Sequence, residues 1–165
     1  MKIQKLKAIV ATTTLMALGL GATSANAATA SATARAKILR QITLTNTSDL
    51  QFGTIVTSAA PSTVAVSSVG VRTCGAGLVC SGTTTAAGFT IGGTTGQVVT
   101  ISVPASVTLN DGLGNSMTAS LAASAATTTL VASAGAFSVG GTLAVGANQV
   151  DGDYTGTFNA TVDYQ

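Results

Sequence analysis

The chain has 165 residues, of which 46 % are hydrophobic and only 7 % charged, with a formal net charge of +2. It contains no His, Glu or Trp, so the usual general bases, zinc ligands and carboxylate pairs reduce to five scattered Asp, which argues against an enzyme or a metal protein. Seven Lys and Arg in total supply no basic groove for nucleic acid, and the many Val, Ile and Thr argue for ordered β structure rather than disorder.

The first segment places Lys2, Lys5 and Lys7 before an uncharged, mostly apolar run from Ala8 to Leu20 and ends in Ala25-Asn26-Ala27. This is the pattern of a signal peptide over residues 1–27: the run is too short and too Thr-rich to span a membrane, and the small residues fit a cleavage site. Cleavage there leaves 165 less 27, or 138 residues, enough for one domain with a core. No later stretch is long and apolar enough for a membrane span, so the expected product is exported, through a periplasm in transit, to the cell surface or the medium. Without the three signal lysines, four bases face five acids and the chain is nearly neutral.

From Ala28 the chain alternates strictly. Ala30, Ala32, Ala34, Ala36 and Ile38 share one parity, and Thr29, Ser31, Thr33, Arg35 and Lys37 the other. Leu39 and Arg40 break the rule, so a bulge there is expected to divide an N-terminal extension, 28–37, from a domain over 38–165. Strands are then expected at Ile38–Asn46, Leu50–Val56, Thr63–Ser67, Val69–Cys74, Gly88–Ile91, Gln97–Val103, Ser106–Leu109, Met117–Leu121, Thr128–Ala132, Ala136–Val139 and Thr142–Val145. Gly-, Asn- and Pro-rich turns separate them. Many short strands and no convincing helix give an all-β sandwich or barrel.

Cys74 and Cys80 enclose five residues, and in an exported chain they are most simply a structural disulfide. The Asp111 segment, LNDGLGNSM, has too few carboxylates for calcium and reads as a β-turn. Asn46-Thr47-Ser48 and Asn159-Ala160-Thr161 match the glycosylation acceptor pattern, which is common by chance in Thr-rich sequence.

The closing segment, GDYTGTFNATVDYQ, alternates to its last residue. Tyr154, Gly156, Phe158, Ala160, Val162 and Tyr164 form an apolar parity, and Asp153, Thr155, Thr157, Asn159, Thr161 and Asp163 a polar one. Three of the four bases outside the signal are Arg35, Lys37 and Arg40, and three of the five acids are Asp151, Asp153 and Asp163. An N-terminal segment pairing antiparallel with the closing strand, with residue numbers summing to about 190, sets Lys37 against Asp153 and Ala30 against Ala160. Such exposed pairs contribute at most about 1 kcal/mol each but favour one register.

ITLTNTSDLQFGTIV together with GTLAVGANQVDGDYTGTFNATVDYQ resembles a family of exported bacterial proteins known only as a domain of unknown function. That family is similar in turn to spore-coat-U type proteins and chaperone-usher pilin subunits. The pilin likeness rests on Gly152, fourteen residues from the end counted inclusively, on the alternating Phe158, Ala160 and Val162, and on the penultimate Tyr164. It implies an immunoglobulin-like sandwich lacking its last strand, filled first by a periplasmic chaperone, with an usher at assembly, and then by the extension of the next subunit. Two features depart from the pilin pattern: the cysteines lie mid-chain and close together, and the extension is built of alanines. The resulting expectation is a structural subunit, polymerising with itself or with related subunits, without cofactor or catalytic residue. The competing reading is a self-contained secreted binding module or adhesin whose own N-terminal strand completes the sandwich.

Overall fold

In the computed structural model, residues 27–165 are described, and the chain divides into two units between Ala36 and Lys37. The expected signal peptide lies, but for its last residue, outside the described residues. Residues 27–36 are exposed and belong to no strand.

Among the described residues the second unit contains twelve strands and no helix: β1 (Thr43–Ser48), β2 (Thr54–Val56), β3 (Ser62–Val66), β4 (Arg72–Cys74), β5 (Val79–Ser81), β6 (Ala87–Gly92), β7 (Val98–Ser102), β8 (Ser106–Asn110), β9 (Ser116–Ala123), β10 (Thr127–Thr129), β11 (Ala134–Val145) and β12 (Thr161–Tyr164). Every pairing is antiparallel. The expected all-β sandwich is therefore the fold.

The twelve residues of β11 organise the larger sheet. Val139 pairs with Ala87 of β6 and with Ala123 of β9, whereas Gly141 pairs with Val66 of β3 and with Leu121 of β9. Strands β6 and β3 thus follow one another along one edge of β11, and the β8–β9 hairpin occupies the other. At the changeover the chain leaving β3 crosses over Gly140, where an added Cβ would fall 2.5 Å from the Val66 carbonyl oxygen. Gly140 and Gly141 were expected to be a turn between two strands. They are instead the point where one continuous strand admits a second backbone, the close approach for which only glycine has room.

A smaller sheet, in the order β10-β7-β12, covers the β6–β11 end. Val99, Ile101 and Leu130 from this side meet Phe89, Ile91, Phe137 and Val139 in one core cluster. Phe89 and Phe137 stack with ring centroids 5.0 Å apart. A second cluster, Phe52, Val64, Val66, Ala119, Leu143 and Val145, lies under the β2–β5 pair. The Cys74–Cys80 disulfide forms as expected and ties β4 at the sheet margin to β5 of that pair, Cα to Cα 6.1 Å. Arg72 reinforces the same junction by donating to the carbonyls of Ser81 (2.6 Å) and Phe52 (3.3 Å).

Three further expectations need correcting. The first domain strand begins at Thr43, not Ile38, and residues 37–42 are irregular rather than a bulged strand, because the partner β6 ends at Gly92 opposite Thr43. Strand β5 was not anticipated; its three residues are ordered by pairing with β2, by the disulfide and by the Arg72 bond to Ser81. The closing segment is laddered only over Thr161–Tyr164, although its alternation begins at Tyr154.

Candidate assembly edge

The reason for that interruption lies in the partner. Thr161 pairs with Ser102 of β7 in the smaller sheet, and Thr155 pairs with Asn110 of β8 in the larger one. Between these points the closing segment advances six residues while its partner advances eight and turns a corner at Val103-Pro104. Proline has no N–H to offer a ladder. A shallow groove of about 650 Å³ opens at the corner, lined in part by Val103, Pro104, Val107 and Phe158. Gly156 lies so close to the Thr108 carbonyl that a Cβ would collide with it.

Side-chain alternation survives where the ladder does not. Phe158, Ala160, Val162 and Tyr164 are half-buried against the first core cluster, with Phe158 edge-on to Phe89 at 6.4 Å. Their neighbours Asn159, Thr161 and Asp163 are exposed. Strand β12 is an edge: its one partner among the described residues is β7. Because the Gln165 N–H donates to the Val98 carbonyl (3.1 Å), residues 163 and 161 also bond toward β7. The N–H and C=O groups of Val162 and Tyr164 consequently point outward.

Across the same margin runs β1, the edge of the larger sheet. Its core-side Leu44, and Ile42 just before it, are only half-buried. Asn46, opposite Phe89 in the ladder and hence on the same face, is exposed. The sandwich is thus less covered at this margin than at its centre, where Val99 and Val139 are fully buried.

At one end of the margin the two edges are joined. The Tyr164 hydroxyl donates to the Arg40 carbonyl (2.8 Å) and accepts from the Thr94 N–H (2.7 Å), while the Arg40 N–H donates to Thr94 Oγ1 (2.7 Å). Lys37 Nζ donates to Gln97 Oε1 at 2.6 Å. Within the chain Lys37 therefore sits at the Tyr164 end, away from Asp153. Ile42 packs into the core, whereas Ile38 is 92 % exposed. The anchor residues Thr94 and Gln97 were not singled out as anchors in the sequence; GGTTG offered only a turn signal, and Gln97 was the first residue of the expected strand Gln97–Val103.

The other end carries the acids. Tyr154 closes the preceding loop by donating to the Val150 carbonyl (2.8 Å) and accepting from Gln149 Nε2 (2.9 Å), so it belongs to a loop staple rather than to the strand face. Asp151 and Asp153 are exposed beside it. Gly152 adopts no left-handed φ, and an added Cβ would meet Asp111 only at ordinary contact distance, 3.4 Å. The chain's own packing gives no reason for a glycine there. Asp111 forms the expected turn: hydrogen bonding from the Asn115 carboxamide first, then from the Leu113 and Asn115 N–H groups, holds its carboxyl below the ordinary 3.8.

No group of three or more Asp or Cys among the described residues is placed to hold a metal ion. What the margin offers is outward backbone hydrogen-bonding groups and a half-buried apolar row. These features define an all-β sandwich domain with a disulfide and two edge strands bordering one partly covered margin. The family model for the domain of unknown function DUF4402 matches residues 42–164, and the chain belongs to that family. The matched span starts at Ile42, the first N-terminal side chain that packs into the first core cluster. No curated protein matches the chain.

Proposed function

We propose that this protein is an exported structural subunit that builds a fimbria-like fibre or surface coat by strand addition. The observation that carries the reading is the outer edge of β12, whose Val162 and Tyr164 backbone groups face outward beside a half-buried apolar row. The alternating 28–36 segment, exposed and unpaired, is the strand that fits it. Strand addition supplies affinity through main-chain hydrogen bonds and specificity through alternate side chains. Export fits the disulfide, since such bonds persist in oxidising compartments. Further copies or related subunits are the partners, with a periplasmic chaperone and usher those the pilin likeness adds.

Energetics place most of the binding in the backbone. Each buried alanine methyl contributes about 0.8 kcal/mol, so Ala28 to Ala36 supply about 3–4 kcal/mol together, against about 1.5–3 for a single large aliphatic side chain. Ile42 is committed to its own core, and Ile38 is the large apolar residue left to join the insert.

The test uses the body lacking residues 1–36 and a synthetic peptide of residues 28–38. Saturable binding of the peptide supports the reading. Val162→Pro removes an outward N–H without touching the β7 ladder and is expected to abolish binding while the domain stays folded. Failure of the folded body to bind the peptide overturns it.

A further inference from the structure

We infer that the corner groove between β8 and the closing segment is a binding site for a neutral saccharide of one or two units. It lies on the inner side of the closing segment, the side that faces β7 and β8, and is independent of the outer edge on which strand addition is proposed.

Hydrogen-bond direction along the two flanks shows what the groove offers. In β8 the Ala105 carbonyl accepts from the Leu121 N–H, whereas Asn110 exchanges both of its bonds with Thr155. Antiparallel pairing alternates sides, so Val107 and Leu109 bond toward β9 while Ser106 and Thr108 aim their N–H and C=O groups at the closing segment. On the other flank Thr155 bonds toward β8 and Thr161 toward β7. The side-chain alternation continues between them through Phe158 and Ala160, so the backbone groups of Thr157 and Asn159 point into the same space. Pro104, which would face Asn159 if the β7 ladder ran on, has no N–H to give. Among the described residues no main-chain hydrogen bond crosses the gap at Ser106, Thr108, Thr157 or Asn159. Such groups require a partner.

Both flanks therefore present donors and acceptors together, over an apolar floor of Val103, Pro104, Val107 and Phe158. A hydroxyl both donates and accepts, so a polyhydroxyl ring satisfies this mixture, whereas a carboxylate or phosphate only accepts and an ammonium only donates. None of the lining residues is charged, so a charged ligand would lose hydration without gaining a counter-charge. The C–H face of a sugar ring suits the floor, and the volume of about 650 Å³ falls in the range of small-molecule sites. The gap is closed at one end by the Thr155–Asn110 bridge, where Gly156 abuts the Thr108 carbonyl, and at the other by the Thr161–Ser102 pair. Residues 156–160 between these closures span on the order of 15 Å at about 3.3 Å per residue. That length accommodates one or two sugar units but no strand passing through.

The test titrates the chain over residues 28–165 with lactose, maltose and diacetylchitobiose. Saturation transfer to the sugar, followed by NMR, reports binding whatever the assembly state, and hydrogen exchange of the 105–108 and 156–160 amides locates it. At least one of the three sugars is expected to bind saturably, with a Kd on the order of 1 mM, and to slow exchange in both segments. Asn159→Pro deletes an N–H that bonds no main-chain group and sets its ring in the gap, so binding should weaken about tenfold at an unchanged melting temperature. If that chain does not fold, Thr157→Ala and Asn159→Ala remove side chains from the rim and are each expected to weaken binding about threefold. Saturable binding of none of the three sugars, protection in other segments, or binding unmoved by the substitutions overturns the site. Protection of the same amides by the 28–38 peptide and by no sugar also overturns it, and assigns the gap to a peptide instead.

Discussion

Tyr164 joins the two sheet edges through one hydroxyl, and its value can be measured apart from any assembly. Tyr164→Phe leaves the Thr94 N–H and the Arg40 carbonyl without that partner, and stability should fall by about 1–2 kcal/mol. The denaturant midpoint reports the loss, with an unchanged slope if the fold is kept. Asp111 gives a pH signature. Its carboxyl is depressed in the folded state, so its contribution is fully present above the ordinary value of 3.8 and disappears as pH falls through the depressed one. The Leu113 and Asn115 amides should keep their exchange protection at pH 4 and above and lose it only in stronger acid.

At the scale of elements, β11 carries the most weight because three strands and both core clusters depend on it. Gly140→Ala forces a methyl against the backbone leaving β3 and should cost about 1–3 kcal/mol, read as a lower melting temperature. Replacing Cys74 and Cys80 by Ser should cost about 2 kcal/mol for so short a loop, with protection lost first at β2 and β5. Most strands were legible because alternation is a local property and each has a neighbour that accepts it. The errors occurred where the neighbour decides. Ile38–Ile42 breaks its alternation at Leu39 and Arg40 and has no partner beyond Gly92, and Gly140-Gly141 looks like a turn unless the crossing of Val66–Ser68 is known. The closing segment alternates flawlessly, yet its ladder breaks because Val103-Pro104 turns its partner into the other sheet.

For the whole molecule, the candidate edge was legible in part. The apolar parity Phe158, Ala160, Val162 and Tyr164 is a sequence feature, and the structure places it against the core. The latch of Tyr164 to Thr94 and Arg40 was not legible, since Thr94 lies 70 residues and Arg40 124 residues from the tyrosine and no local pattern marks either. That latch ties the residues before β1 to the C-terminal end of β12. The most direct measurement is the molar mass in solution of the chain over residues 28–165 and of the same chain lacking residues 28–36, alongside the melting temperature of each. The account predicts high-mass assemblies from the full chain and a folded monomer of unchanged melting temperature from the shortened one. A full chain that stays monomeric, or a shortened chain that assembles equally well, would contradict it.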